Sequence, residues 1–397
     1  MNDALFTKLQ NFRSALNSSH LERESIIDGL LATVLSRQNA FLLGVPGTGK
    51  SDLVRSICNG ISDAKYFGYL LSPTTDPSEV FGPVAVTKLL NDEYTRDIEG
   101  YLPSCNIAFL DELFRGNSAI LNSLLTLLNE RTFNNGKVNV TTPIESIVAA
   151  TNSWPDEESL QAFGDRFLFR PTVNTLKKPI SKATLDRWSV GMAQRPQVGV
   201  HLTIKDLKDL QQAVDAVQVE DNFLEKFSGV WDVLEQRGIG ISDRRRVQVL
   251  KFLKAWVVVQ GETELCPEHM HGSLIHIVYQ TEDDKEIIQE VLNQEIPTAD
   301  RVFADAKRAA AGIMAEYNAQ QSKHVHKANI ETLNEFVFDL KRYYKDMSIV
   351  YDKVNEILDG SKLRLTFNAR ATGVKLIQQL QGHKDTLARA INDLSSN

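Results

Sequence analysis

The sequence predicts an α/β fold, a doubly wound parallel sheet followed by a wholly helical remainder. Three observations predict it. Short apolar runs alternate with helical-period segments between residues 40 and 170. The first run ends in the glycine-rich turn Gly44-Val45-Pro46-Gly47-Thr48-Gly49-Lys50-Ser51, which passes directly into a helical segment. After about residue 186 no further strand pattern occurs. Buried apolar strands alternating with helices are the mark of a parallel sheet covered by helices.

Taken in order, Leu5, Leu9, Phe12, Leu16 and then Ile26, Ile27, Leu30, Leu31, Val34 keep helical spacing over residues 5–36. Ala40–Leu43 is the first strand. Tyr66–Leu71, Ile107–Leu110, Ile144–Ala150 and Phe167–Arg170 are the next strand candidates. The helix expected over Ser118–Glu130 carries Ile120, Leu121, Leu124, Leu125 and Leu128 on one face. Residues 203–260 read as helices broken at "QRGIGISD". Residues 298–397 read as helices interrupted at Gly360 and Gly382. Three domains are expected: a nucleotide-binding α/β domain over 1–186, a helical domain over 187–290 and a helical C-terminal domain over 291–397.

Composition narrows the function classes. With 397 residues and 42% apolar content the chain can bury more than one core. No apolar run reaches the roughly 20 residues of a membrane span, and the N-terminus lacks a signal-peptide pattern. Cys58, Cys105 and Cys266 are too scattered for a disulfide framework, so a cytoplasmic location is expected. The net charge of −7 splits into +4 over residues 301–397 (15 Lys/Arg against 11 Asp/Glu) and −11 over residues 1–300. An acidic body argues against a dedicated nucleic-acid binder.

The turn at 44–51 matches the phosphate-loop pattern in its strand–turn–helix setting. Gly44, Gly47 and Gly49 let the backbone curl, with Pro46 and Thr48 between them, so that N–H groups face phosphate oxygens at a helix N-terminus. Lys50 supplies a cation for the outer phosphates, Ser51 a hard oxygen for Mg²⁺, and Asp52 completes the binding segment. "NIAFLDEL" delivers Asp111 and Glu112 to the carboxyl end of a buried strand, where open parallel sheets hold ligands. Asp111 suits the magnesium shell, and Glu112 suits a water-polarising role. Ile147–Asn152 is another buried strand, ending in Asn152, a candidate for bonding the terminal phosphate or the water. No guanine-reading N-K-x-D occurs, so ATP is the expected nucleotide.

"AFGDRFLFR" places Arg166 and Arg170 around an apolar centre. Phosphoryl transfer gains roughly 10³–10⁵ in rate from a cation delivered to the transferred group. Either arginine could supply it to a neighbouring subunit's nucleotide; the alternative is an ion pair with Asp165 inside the domain.

"LLGVPGTGKS", "IAFLDELFRGNSAILNSLLTLLNERTF", "IVAATNSWP", "FGDRFLFR" and "ISDRRRV", in this order over residues 5–260, resemble the AAA+ ATPases of the MoxR family, nearest its RavA-like branch. "SPTTDPSEVFGPVAV" resembles the segment leading into that family's insert in the second helix. "RTFNNGKVNV" resembles its hairpin, with Asn135-Gly136 as tight-turn signal. The resemblance implies an AAA+ fold with an all-α lid and a homo-oligomeric ring, usually of six subunits. It implies ATP and Mg²⁺ at each interface, and Lys50, Ser51, Asp111, Glu112 and Asn152 in the roles above. It makes Arg166 the finger acting on the neighbour's ATP, Arg170 a second intersubunit charge, and Arg244 the lid's arginine sensor, with Arg245 one position away. It further implies remodelling of a protein partner, possession of a von Willebrand factor A domain being the family expectation. A switch that assembles with an effector on ATP binding is the alternative. The wholly helical last hundred residues depart from the β-rich module that RavA-like proteins often carry. Cys266, His269 and His271 lack an obvious fourth zinc ligand and are not assigned to a metal, and neither are His324 and His326.

Overall fold

The computed structural model describes residues 3–152, 163–176, 198–199, 201–279, 281–324, 330–359 and 367–395. The chain divides into two compact units, Met1–Leu292 and Asn293–Asn397. The boundary expected at 186/187 lies outside the described residues, as do Gly360 and His326.

The first unit opens with α1 (Asp3–Ser19), which buries Leu5, Leu9, Phe12 and Leu16 at spacings of four, three and four residues. In α2 (Glu24–Leu35) every residue from Ile26 to Leu35 is buried. Its Asp28 is matched by Arg13, which meets both carboxylate oxygens at 2.5 and 2.7 Å. Gln260 adds a third bond at 2.9 Å, so the buried charge is compensated.

The sheet is built from β1 (Ala40–Leu43), β3 (Tyr66–Leu70), β4 (Ile107–Asp111) and β7 (Ser146–Thr151), with α3 (Lys50–Asn59) and the two-residue strand β2 (Ile61–Ser62) between β1 and β3. The order is β1-β7-β4-β3, all parallel. Residues 169–173 run alongside the free edge of β1: Phe41 N–H donates to the Phe169 carbonyl at 2.8 Å, and Val173 N–H to the Leu43 carbonyl at 2.6 Å. This is the expected fifth strand. It survives only as parallel bridges, because Pro171 has no N–H with which to continue the ladder.

Between β3 and β4 lie the short helices α4 (Pro77–Phe81) and α5 (Val86–Leu89). After β4 comes α6 (Ser118–Glu130), with Ile120, Leu121, Leu124, Leu127 and Leu128 buried. The antiparallel pair β5 (Thr132–Asn135) and β6 (Val138–Thr141) follows. Its turn sits one residue later than the Asn-Gly signal, at Gly136-Lys137, with Gly136 at φ +69°. Asn135 instead stays in the strand and clamps the neighbouring segment: its Oδ1 accepts from Arg96 N–H at 2.6 Å and its Nδ2 donates to the Arg96 carbonyl at 3.0 Å.

Beyond the sheet, β8 (Leu202–Thr203) leads into α7 (Ile204–Asp215). Then come β9 (Gln218–Val219), α8 (Phe223–Gln236), α9 (Asp243–Gln260), β10 (Glu264–Leu265) and α10 (Glu282–Glu295). The three two-residue strands correct the expectation of helices alone after residue 186: β8 pairs with β2, and β10 with β9. They are too short to show a period of two in the sequence. The glycine-rich break expected before α9 is present, and Ser242 caps the helix that follows.

The second unit is a three-helix bundle of α11 (Ala299–His324), α12 (Ile330–Leu358) and α13 (Phe367–Ser395) around Phe303, Leu340, Tyr343, Met347, Val354, Leu380 and Leu387. Gly382 does not interrupt it but lies within α13, where the buried residues on either side outweigh its cost of about 1 kcal/mol. No helix among the described residues is long and apolar enough to cross a membrane.

Candidate functional site

β1 leads into Gly44, whose φ of +153° no side-chain-bearing residue tolerates easily; an added Cβ would sit 2.4 Å from the Val173 carbonyl oxygen. The loop then turns through Gly47 and Gly49, at φ +81° and +80°, and delivers its N–H groups to the start of α3. Lys50 is 7% exposed. Its Nζ donates to the Gly44 and Val45 carbonyls at 2.7 and 3.1 Å, folding back over the loop. Burial lowers its pKa, while Asp111 and Glu112 act in the opposite direction.

The adjacent strands bring the acidic groups to the same place. Register pairs Asp111 with both Leu70 and Ala150, so β4 ends level with β7. Asp111 Oδ1 accepts from Glu112 N–H at 3.1 Å. Glu112 itself takes the left-handed conformation, φ +52° and ψ +45°, a strained state for such a residue. Its Oε1 accepts from Asn152 Nδ2 at 2.9 Å.

These groups line a cavity of about 630 Å³, within the range of small-molecule sites. Its walls include Pro46, Gly47, Thr48, Gly49, Lys50, Ser51, Asp52, Asp111, Glu112 and Asn152. Gly44 shapes the loop from behind. The donor set fits a magnesium nucleotide: loop N–H groups and an ammonium for phosphates, a hydroxyl and a carboxylate for the metal.

The remaining wall was not legible in the sequence. Ser19, His20, Leu21 and Arg23 from the α1–α2 turn line it too, with Thr175 and Leu176. Arg23 Nη2 donates to the Asn174 carbonyl at 2.7 Å and ties the turn to that segment. Only the helix break in "SSHLERE" hinted at a turn there.

The arginines gather elsewhere. Arg166 and Arg244 line a second cleft of about 500 Å³, together with Arg37, Arg131 and Lys251. It shares no lining residue with the phosphate-loop cavity. Arg244 is exposed, and its Nη2 donates to Asn129 Oδ1 at 3.1 Å. Asn39 is a hub of this cleft. Its Oδ1 accepts from Arg131 Nη1 at 2.9 Å and from Ile147 N–H at 3.1 Å, and its Nδ2 reaches the Arg166 carbonyl at 3.4 Å. Arg131, which the sequence reading passed over, is held at φ +57°, and burial pushes its pKa down to about 10.

Two of the arginines lie inside the unit. Arg170, expected as an intersubunit charge, is buried within the chain. It is 4% exposed, it donates to the Ile277 carbonyl at 3.2 Å and its guanidinium lies 5.5 Å from the centre of the Tyr279 ring. Burial, then Arg245, pulls its pKa down to about 9. Arg245 is likewise internal. It pairs with the Asp165 carboxylate and donates to the Asp165 and Ile277 carbonyls at 2.8 and 2.6 Å. So Asp165 does form an ion pair within the unit, but with Arg245. Of the adjacent pair Arg244 and Arg245, Arg244 is the exposed one.

At the zinc-like pattern over 266–271, the His269 ring is engaged within the chain. His269 is occupied by Cys266 N–H at 3.0 Å and Glu262 at 3.2 Å. Among the described residues, Cys266 instead lies with the carboxylates of Glu220 and Glu268.

Comparison with known proteins agrees with this geometry. Residues 7–212 match the family described as the MoxR domain in the MoxR-vWA-beta-propeller ternary systems. Two uncharacterised proteins of Methanocaldococcus jannaschii are each 36% identical. One aligns over 286 residues, 72% of this chain and 73% of its own length, and the other over 281 residues, 70% and 72%. A structural protein of Acidianus two-tailed virus is 27% identical over 237 residues, 55% of this chain and 38% of its own. The crystal structure of a candidate ATPase from Cytophaga hutchinsonii superposes with a TM-score of 0.61 at 17% identity, covering 73% of this chain and 94% of that one, a likeness of fold. With the phosphate loop, the paired acidic residues and the arginine cleft on one framework, and more than half the chain matching that family, the protein belongs to the MoxR family of AAA+ ATPases.

Proposed function

We propose that the chain hydrolyses Mg-ATP between neighbouring copies of itself in a ring, by the family's pattern a hexamer, and spends the energy on remodelling a protein partner. The observation that carries this reading is the separation of the phosphate-loop cavity from the cleft holding Arg166 and Arg244. One copy has the phosphate, metal and water groups in one place and the extra cations in another, so a second copy must bring its arginines to the first copy's nucleotide.

In this scheme Lys50 and the loop N–H groups bind the phosphates, and Ser51 and Asp111 hold magnesium, which supplies charge neutralisation when bound. Glu112 polarises the attacking water, and Asn152 orients it or the terminal phosphate. Arg166 and Arg244 of the neighbouring copy stabilise the spreading negative charge. The family description supports a partner with a vWA domain. Resemblance to the RavA-like branch rests on the sequence motifs alone.

Glu112→Gln is expected to keep ATP binding and lose roughly 10²–10⁴ of turnover. Arg166→Ala is expected to lose turnover with nucleotide affinity nearly intact. Mixing Arg166→Ala with Lys50→Ala should restore activity, because some interfaces then pair an intact loop with an intact finger. Absence of rescue in mixed assemblies would rule out action between copies.

A further inference from the structure

We propose that Arg115 is a positioning residue for Glu112, and that Arg115 and Asn152 together fix the plane of the carboxylate that polarises water. The inference rests on the hydrolytic reading of this site.

Local geometry supplies the argument. Glu112, in its left-handed conformation, starts the 3₁₀ turn Leu113–Arg115, and Arg115 N–H donates to the Glu112 carbonyl at 2.8 Å. In a 3₁₀ turn the side chains three residues apart eclipse each other. The turn therefore curls Arg115 back over the glutamate, with Arg115 Nε 3.5 Å from Glu112 Oε2. The other oxygen, Oε1, is the one held by Asn152. A carboxylate bonded at one oxygen still swings about its last torsion; a cation 3.5 Å from the other oxygen favours one orientation over the rest. Each oxygen keeps a second lone pair, so the grip leaves an acceptor for water.

The turn itself is anchored. Leu113 is fully buried, and Phe114 packs on Phe41 of β1 with ring centres 5.2 Å apart. Arg115 stands in a different relation to solvent: its side chain is 67% exposed, against 18% for Glu112. An ion pair this exposed contributes about 0–1 kcal/mol to stability. Arg115 does not line the nucleotide cavity. Among the described residues its side chain pairs with the glutamate, so its effect on the reaction passes through that group.

The test uses the full chain with ATP. Arg115→Ala should lower kcat about tenfold, a fraction of what general-base catalysis supplies. KM and the affinity for a fluorescent ATP analogue should stay within about twofold of the unmodified protein. Arg115→Lys should recover part of kcat, and Arg115→Met, which keeps the stem, should not. In the Glu112→Gln background, Arg115→Ala should leave the residual single-turnover rate unchanged, since no carboxylate remains to be oriented. A full kcat in Arg115→Ala, or an equal loss in the Glu112→Gln background, overturns the role of Arg115 alone. An unmodified chain without turnover, or Glu112→Gln with undiminished turnover, overturns the hydrolytic reading and this inference with it.

Discussion

At the scale of single residues, Arg244, Arg245 and Arg246 carry the same charge and differ by successive rotations of about 100° around α9. Arg244 points into the arginine cleft, and Arg245 is buried against Asp165 and the Ile277 carbonyl. Arg246 lies 3.5 Å from Glu235. "SDRRR" carries no signal that selects among these positions, because the choice depends on the rotation of a helix against a surface far away in sequence. Arg245→Ala removes the ion pair with Asp165 and leaves the Ile277 carbonyl to Arg170 alone, and is expected to cost about 1–3 kcal/mol of stability, read as a lower melting temperature. Arg244→Ala is expected to leave the melting temperature unchanged and remove most ATP turnover. Arg170 shows the same limit: its spacing from Arg166 was visible, its burial against Tyr279 was not. By contrast Lys50, Ser51, Asp111, Glu112 and Asn152 were legible because strand ends and a glycine-rich loop are local patterns, and the sheet register brings them to one cavity.

Elements were readable in proportion to their length. The period of α6 over Ser118–Glu130 and the apolar runs of β1, β4 and β7 stand in the sequence, because a single strand or helix face reports its own burial. Phe167–Arg170 was read as a strand, but the pairing falls on residues 169–173 and depends on a proline whose effect is felt only against β1. The turn of the β5–β6 pair moved by one residue because Asn135 has a tertiary partner at Arg96. Gly29 in α2 makes such tertiary dependence testable: a Cβ there would lie 1.9 Å from the Phe169 ring, which stacks on Phe252. Gly29→Ala is expected to destabilise the fold by about 1–3 kcal/mol in a denaturant titration, despite alanine's better helix propensity.

Across the whole molecule, the family match ends at residue 212, and residues 293–397 form a unit with a core of their own. Expressed by itself, that segment is expected to give a helical far-ultraviolet circular dichroism spectrum and to unfold cooperatively; a non-cooperative melt would contradict an independent core. Within the first unit, α6 joins the two ends of the proposed chemistry. It is capped by Asn117, two residues after Arg115, where the Asn117 side chain accepts from Ile120 N–H at 3.1 Å and donates to the Thr75 carbonyl at 2.8 Å. Its last turn holds Asn129, the acceptor for Arg244. Thirteen residues at 1.5 Å each make a stiff rod of about 20 Å. Pivoting that rod by about 6° at its acidic end would shift Asn129, the acceptor for the Arg244 guanidinium, by about 2 Å, comparable to the difference between a made and a broken hydrogen bond. In the assembly proposed above, such a rod would give each copy's own nucleotide leverage over the next copy's reaction.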